Sequence, residues 1–119
     1  MDKQNILLVK TDALTNRIIK MVKYLRTKHV ESSIVTQVLR AGTSIGANIA
    51  ESQNAQSRAD FVNKLSIALK EADETVYWID KLLIMEGLTE KEHRSIMSDT
   101  KEVIYMLTAI IKKTKQNNL

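Results

Sequence analysis

The chain has 119 residues, a formal net charge of +4, and a composition that is 44% hydrophobic and 27% charged. That balance fits one globular domain around a single core and excludes a disordered chain. Proline and cysteine are absent and glycine occurs three times, which argues against an all-β fold and excludes disulfides and thiolate metal sites.

The pI near 9.4 is a mild excess that tilts only slightly toward an acidic partner. No run of non-aromatic apolar residues exceeds four, far short of the roughly 18 that a membrane span requires. The acid-containing N-terminal stretch does not read as a signal peptide. A cytoplasmic protein with no membrane partner is expected.

Four stretches of helical periodicity follow one another along the chain. In the first, residues 11–28, Leu14, Ile18, Met21, Val22 and Leu25 recur every three or four positions, which marks one apolar face. Residues 6–9 could extend this helix toward the N-terminus. The second helix is expected over residues 33–53, capped by Ser32 or Ser33, with Ile34, Val38, Ala41, Ile45 and Ile49 facing inward.

The third helix is expected over residues 57–86, with Ser57 and Asp60 in a capping-box pattern. Phe61, Leu65, Ala68, Ala72, Val76, Ile79 and Leu83 would line its core side, and Gly87 would supply a left-handed C-cap. The fourth, over residues 90–115, opens on the capping box Thr89–Glu92. Its core residues are Ile96, Val103, Leu107 and Ile110, broadened by Met97, Ile104 and Ile111, and a polar tail spans 112–119. Breaks of a few residues force neighbouring helices to run antiparallel. The expected fold is an all-α, up-down-up-down four-helix bundle.

Three features of this pattern bear on function. Gly42, Gly46 and Ala50 fall at i, i+4 and i+8 in the second helix. Each interior glycine costs about 1 kcal/mol relative to alanine, so a closely approaching backbone is expected, within the bundle or between subunits. Beside them runs a polar stripe, Gln37, Arg40, Ser44, Asn48 and Glu51, matched on the third helix by Asp60, Lys64, Glu71, Glu74 and Trp78. Arg40 is expected to meet Glu71 or Glu74 in a partly buried network that fixes register. The plain alternative is two solvated faces.

The third feature is charge asymmetry. Residues 13–30 carry Arg17, Lys20, Lys23, Arg26 and Lys28 and no acid, a surface suited to phosphate contact or merely solvated. Lys112, Lys113 and Lys115 complement the dipole at the end of the fourth helix. Aromatic residues are too sparse to favour stacking on single-stranded bases. A lone Glu90–His93 pair has the E-x-x-H form used twice by di-iron bundles, but it has no mate. No catalytic constellation and no phosphate-binding glycine loop is present. Neither a cofactor nor a small-molecule substrate is expected, and the chain does not read as an enzyme.

Residues 37–83 carry a longer pattern: Gln-x-x-Arg (Gln37, Arg40), then Ser44, Ile45, Asn48, Ile49, Ala50 and Glu51, then Ser57 with Phe61, and a glutamate-rich third helix with Glu71 and Glu74. This resembles the bacterial four-helix-bundle proteins encoded in 23S rRNA intervening sequences. Ser52 stands where a glycine usually follows the Asn-Ile-Ala-Glu run. The resemblance implies a left-handed bundle assembled as a ring-like homopentamer, similar to the accessory protein of diversity-generating retroelements, which works with a reverse transcriptase and RNA. It implies no established biochemical activity. The expected role is therefore that of an oligomeric, non-enzymatic bundle whose basic surface binds structured RNA or a nucleic-acid-processing partner, or else that of a structural or protein-interaction module alone.

Overall fold

The computed structural model describes residues 2–117, so Asn118 and Leu119 of the polar tail lie outside the described residues. Four helices follow in order: α1 (Lys3–Leu25), α2 (Ser32–Ser52), α3 (Arg58–Ile84) and α4 (Glu90–Gln116). α1 begins eight residues before Thr11, because Asp2 accepts a hydrogen bond from the Asn5 amide at 2.9 Å and Leu7 packs into the core. It also ends sooner than residue 28. The Thr27 and Lys28 amides turn back to the Tyr24 and Leu25 carbonyls, tightening the last turn.

The α2 cap is Glu31 rather than Ser32 or Ser33, its carboxylate accepting from the Ser33 amide. α3 is capped by Ser57, which accepts from the Asp60 amide at 3.0 Å. The Asp60 carboxylate accepts from the Gln56 amide instead. At the far end of α3 the left-handed residue is Glu86, at φ 60, and Gly87 has negative φ. The chain turns one residue earlier than expected, and the Gly87 amide closes the helix on the Leu82 carbonyl at 2.9 Å. The Thr89–Glu92 capping box opens α4 with both reciprocal bonds made.

Contacts fix how the helices run. Gly42 faces Ile18 while Gly46 faces Thr15, and Arg40 reaches Glu71 and Glu74 while Glu51 reaches Lys64. Asp80 meets His93 while Arg58 meets Asn117, and Arg17 meets Asp99 while Lys10 meets Glu102. In each pair rising numbers on one helix match falling numbers on the other, so every adjacent pair is antiparallel. The helices touch in the cycle α1–α2–α3–α4–α1, with no close approach across either diagonal, in a four-helix bundle 51 × 23 × 21 Å.

Between them lie Ile18, Leu25, Val38, Ile45, Leu65, Ile79, Leu82 and Leu107, all fully buried, each stabilising by about 1.5–3 kcal/mol. Val35 and Leu82 take the inward places expected of Ile34 and Leu83, which sit half-buried at the margin. Thr75 and Thr100 are also fully buried and return their hydroxyls to the Glu71 and Ile96 carbonyls. A threonine satisfied in this way packs much as valine would.

Candidate assembly and phosphate-binding surfaces

The polar stripes of α2 and α3 face each other across the most extensive of the four helix contacts. Gln37 and Arg40 lie one turn apart on α2, as do Glu71 and Glu74 on α3, and the antiparallel register sets the two pairs side by side. Arg40 Nε donates to Gln37 Oε1 at 3.1 Å. Its Nη1 donates to Glu71 Oε2 at 3.2 Å, and its Nη2 to Glu74 Oε1. Trp78 Nε1 adds a bond to the same Glu74 oxygen at 3.3 Å. One guanidinium thus spans three side chains on two helices, using its fixed fork of donors.

The Glu71 side chain is only 15% exposed, against 46% for Arg40. The Arg40 hydrogen bond, helped by Trp78, holds the Glu74 carboxyl below the usual carboxylate range although partial burial opposes this. The bond to Glu74 in turn raises the Arg40 guanidinium further above neutrality.

The rest of the expected stripe does not join this cluster. Ser44 and Asn48 donate back to the Arg40 and Ser44 carbonyls of their own helix, at 2.6 and 2.8 Å. Glu51 forms a separate ion pair with Lys64 at 2.9 Å. On α3, Ile67, Tyr77 and Ile84 are exposed at 36%, 53% and 72%, and the cap residue Met85 at 38%. Ile67, Glu74, Trp78 and Met85 fall seven, four and seven residues apart, so they share one helix face.

The small-residue positions separate into two kinds. A Cβ at Gly42 would lie 2.8 Å from both Cδ1 and Cγ2 of Ile18, and one at Gly46 would lie 2.7 Å from Thr15 Oγ1. α1 of the same chain therefore fills that face. Ala50 is exposed, at the mouth of a slot of about 190 Å3 that Leu8, Thr11 and Gly46 also line.

The four α1 cations do not form one patch. Arg17 and Arg26 are nine residues apart, half a turn around the helix, and each leans on a different neighbour. Arg17 Nη1 bonds Asp99 at 2.6 Å and the Ser95 carbonyl at 3.1 Å, and its Nη2 bonds the Ser95 hydroxyl at 2.6 Å. Arg26 turns to the Ser32 and Thr36 hydroxyls of α2. Lys20 and Lys23 alone of the four point outward with neither an ion pair nor a side-chain hydrogen bond among the described residues. Sequence spacing shows the charges but not their partners, which for Arg17 sit some 80 residues away. At the start of α4, His93 Nε2 lies 2.8 Å from Asp80 Oδ1, which accounts for the histidine of the E-x-x-H pair. Among the described residues no three His, Cys, Asp or Glu side chains gather as a metal site.

Comparison with known families matches residues 3–109 to the model of the 23S rRNA-intervening sequence protein. The chain belongs to the 23S rRNA-intervening sequence protein family. A solved structure from Bacteroides thetaiotaomicron VPI-5482, described as a protein with unknown function from the S23 ribosomal protein family, superposes with a TM-score of 0.91. It shares 46% identity, over 93% of this chain and 99% of that one. Comparison with functionally curated proteins gives no match. In this member of the 23S rRNA-intervening sequence protein family, the residues that carry the resemblance at both ends of the pattern, Gln37, Arg40, Glu71 and Glu74, are those that meet in the guanidinium cluster. No helix among the described residues is long and apolar enough to cross a membrane.

Proposed function

We propose that the protein is a non-enzymatic assembly subunit, a homopentamer by family resemblance, that works in the cytoplasm and binds structured RNA or a nucleic-acid-processing partner. The observation that carries the assembly half is the α2/α3 face. It joins a half-buried Arg40–Glu71–Glu74–Trp78 cluster to exposed Ile67 and Met85 on the same side of α3. Arginine and aromatic side chains amid apolar area, with bonded polar groups, are the make-up of a subunit contact.

Solution mass tests this directly. The wild type is expected to sediment as a multiple of 13.5 kDa, and Trp78→Ala to shift it toward the monomer. A monomeric wild type would refute the assembly reading.

The nucleic-acid half rests on the net charge of +4, which multiplied around an oligomer would attract phosphate. Its test is binding of a structured RNA across a salt series, where affinity must fall as salt rises. The second reading, a protein-interaction module without a nucleic-acid role, draws support from the commitment of Arg17 and Arg26 to neighbouring helices. A wild type that binds no RNA at low salt would favour it.

A further inference from the structure

The ion pairs between α1 and α4 have an electrostatic consequence for α4. Its acids are Glu90, Glu92, Asp99 and Glu102, and its cations are Lys91, Arg94, Lys101, Lys112, Lys113 and Lys115. Three of the acids are spoken for: Glu92 by the Thr89 amide, Asp99 by Arg17 and Glu102 by Lys10. None of the six cations has an ion pair among the described residues.

Arg94, Lys101, Tyr105 and Lys112 recur at seven, four and seven residues, so they form one outward stripe about 27 Å long at 1.5 Å per residue. In its middle stands Tyr105, 77% exposed, the barest of the large apolar side chains. Beside it an apolar depression of about 240 Å3 is lined by Met106, Ala109 and Ile110, with Lys3 of α1 at its edge. Asp2, the nearest acid on α1, is held by the Asn5 amide. On the neighbouring α3, Asp80 is bonded to His93, and Asp73 is the remaining acid of that shoulder.

Resting on the RNA-binding reading, we infer that the outer face of α4, not α1, is the RNA contact, with Arg94, Lys101 and Lys112 on backbone phosphates and Tyr105 stacked on an unpaired base. A duplex hides its bases within the stack, whereas a loop presents them to an aromatic ring. One exposed aromatic between cations suits a single splayed base, and the apolar hollow beside it gives that base a surface to rest on.

The test is fluorescence anisotropy with a hairpin RNA carrying an unpaired loop and a blunt duplex RNA of equal length, each across a salt series. Lys101→Gln with Lys112→Gln is expected to weaken both RNAs and to lower the salt slope by about one per lysine. Tyr105→Ala is expected to cost roughly 5- to 100-fold on the hairpin, with the slope and duplex binding unchanged. Lys20→Gln with Lys23→Gln serves as the control and leaves most of the affinity in place.

Wild-type binding that the α1 pair abolishes and the α4 pair spares would overturn this inference while leaving RNA binding intact. No wild-type binding at low salt would overturn both. A fall in solution mass in Tyr105→Ala would place Tyr105 in a subunit contact and overturn its role on a base. All the substituted side chains are exposed, so helicity and melting temperature are expected to stay near wild type.

Discussion

The close packing of α1 against Gly42 of α2 can be tested by a double-mutant cycle. Carbon atoms in contact sit about 3.5–4.0 Å apart, yet a Cβ at Gly42 would stand 2.8 Å from two carbons of Ile18. Ile18 is fully buried and β-branched, so it has one helix rotamer and no room to leave. Overpacking of this kind costs about 1–3 kcal/mol, while alanine returns about 1 kcal/mol of helix propensity over glycine. Gly42→Ala alone therefore has a small net effect, about 0–2 kcal/mol destabilising, which is poor evidence by itself. Ile18→Ala alone should cost about 2–5 kcal/mol through the cavity it leaves. In the double variant the Cβ of residue 42 enters that cavity instead of clashing, and the propensity gain cancels around the cycle. The expected coupling is about 1–2 kcal/mol toward the double variant, read from urea midpoints at constant m. Additivity within about 0.4 kcal/mol would refute the packing of Ile18 on Gly42.

Other substitutions probe the ends and the polar cluster. Gly46→Ala meets one hydroxyl, that of half-buried Thr15, which has a second rotamer available. It should be neutral or stabilising by up to about 1 kcal/mol, and a loss larger than that of Gly42→Ala would count against the geometry. Glu86 pays for its positive φ, so Glu86→Gly should raise the urea midpoint by the equivalent of about 1 kcal/mol, whereas a fall would show that the side chain has a role. Thr89→Ala removes the hydroxyl that accepts from the Glu92 amide and leaves the reciprocal backbone bond to the Glu92 carboxylate in place; it should cost about 1 kcal/mol, seen as a melting temperature lower by roughly 4 °C. Because the folded Glu74 pKa lies below its unfolded value, the stabilisation it gains from Arg40 is complete above the ordinary glutamate pKa of about 4.3. It is lost as pH falls through the lower folded value. Melting curves of wild type and Arg40→Ala should thus differ at neutral pH and converge in acid. A constant gap down to low pH would show that Arg40 acts through packing alone.

Much of the bundle was legible because its signals are local. The Thr89–Glu92 box, the Ser57 cap and the inward places of Leu14, Ile18, Val22 and Leu25 all follow from spacing within one or two helical turns. The misreadings have equally local causes. Buried Thr11 breaks the apolar pattern, and so the α1 stripe reads from sequence as starting late. Glu86 took the left-handed place because the Gly87 amide closes on Leu82, and no count of glycines reveals which of two adjacent residues will turn. Arg40, Glu71 and Glu74 could be paired from sequence because both stripes lie beside the apolar faces of helices adjacent in the chain, joined by a short break whose length fixes the register.

The basic surface was the least legible feature. A run of like charges in sequence becomes a surface field only after each charge has chosen its partner, and α1 chooses across the closing α1–α4 contact, the one with the greatest sequence separation. Arg17 and Lys10 end beside Asp99 and Glu102. These pairs are about half exposed and contribute little to stability, but they neutralise two charges on each helix. α1, cation-rich in sequence, gives up part of its excess. α4, mixed in sequence, loses two acids and emerges as the more uniformly basic face, with Tyr105 at its centre. The helix that looks basic in sequence and the helix positioned to meet a polyanion are therefore different ones, and the difference arises where the first helix packs against the last.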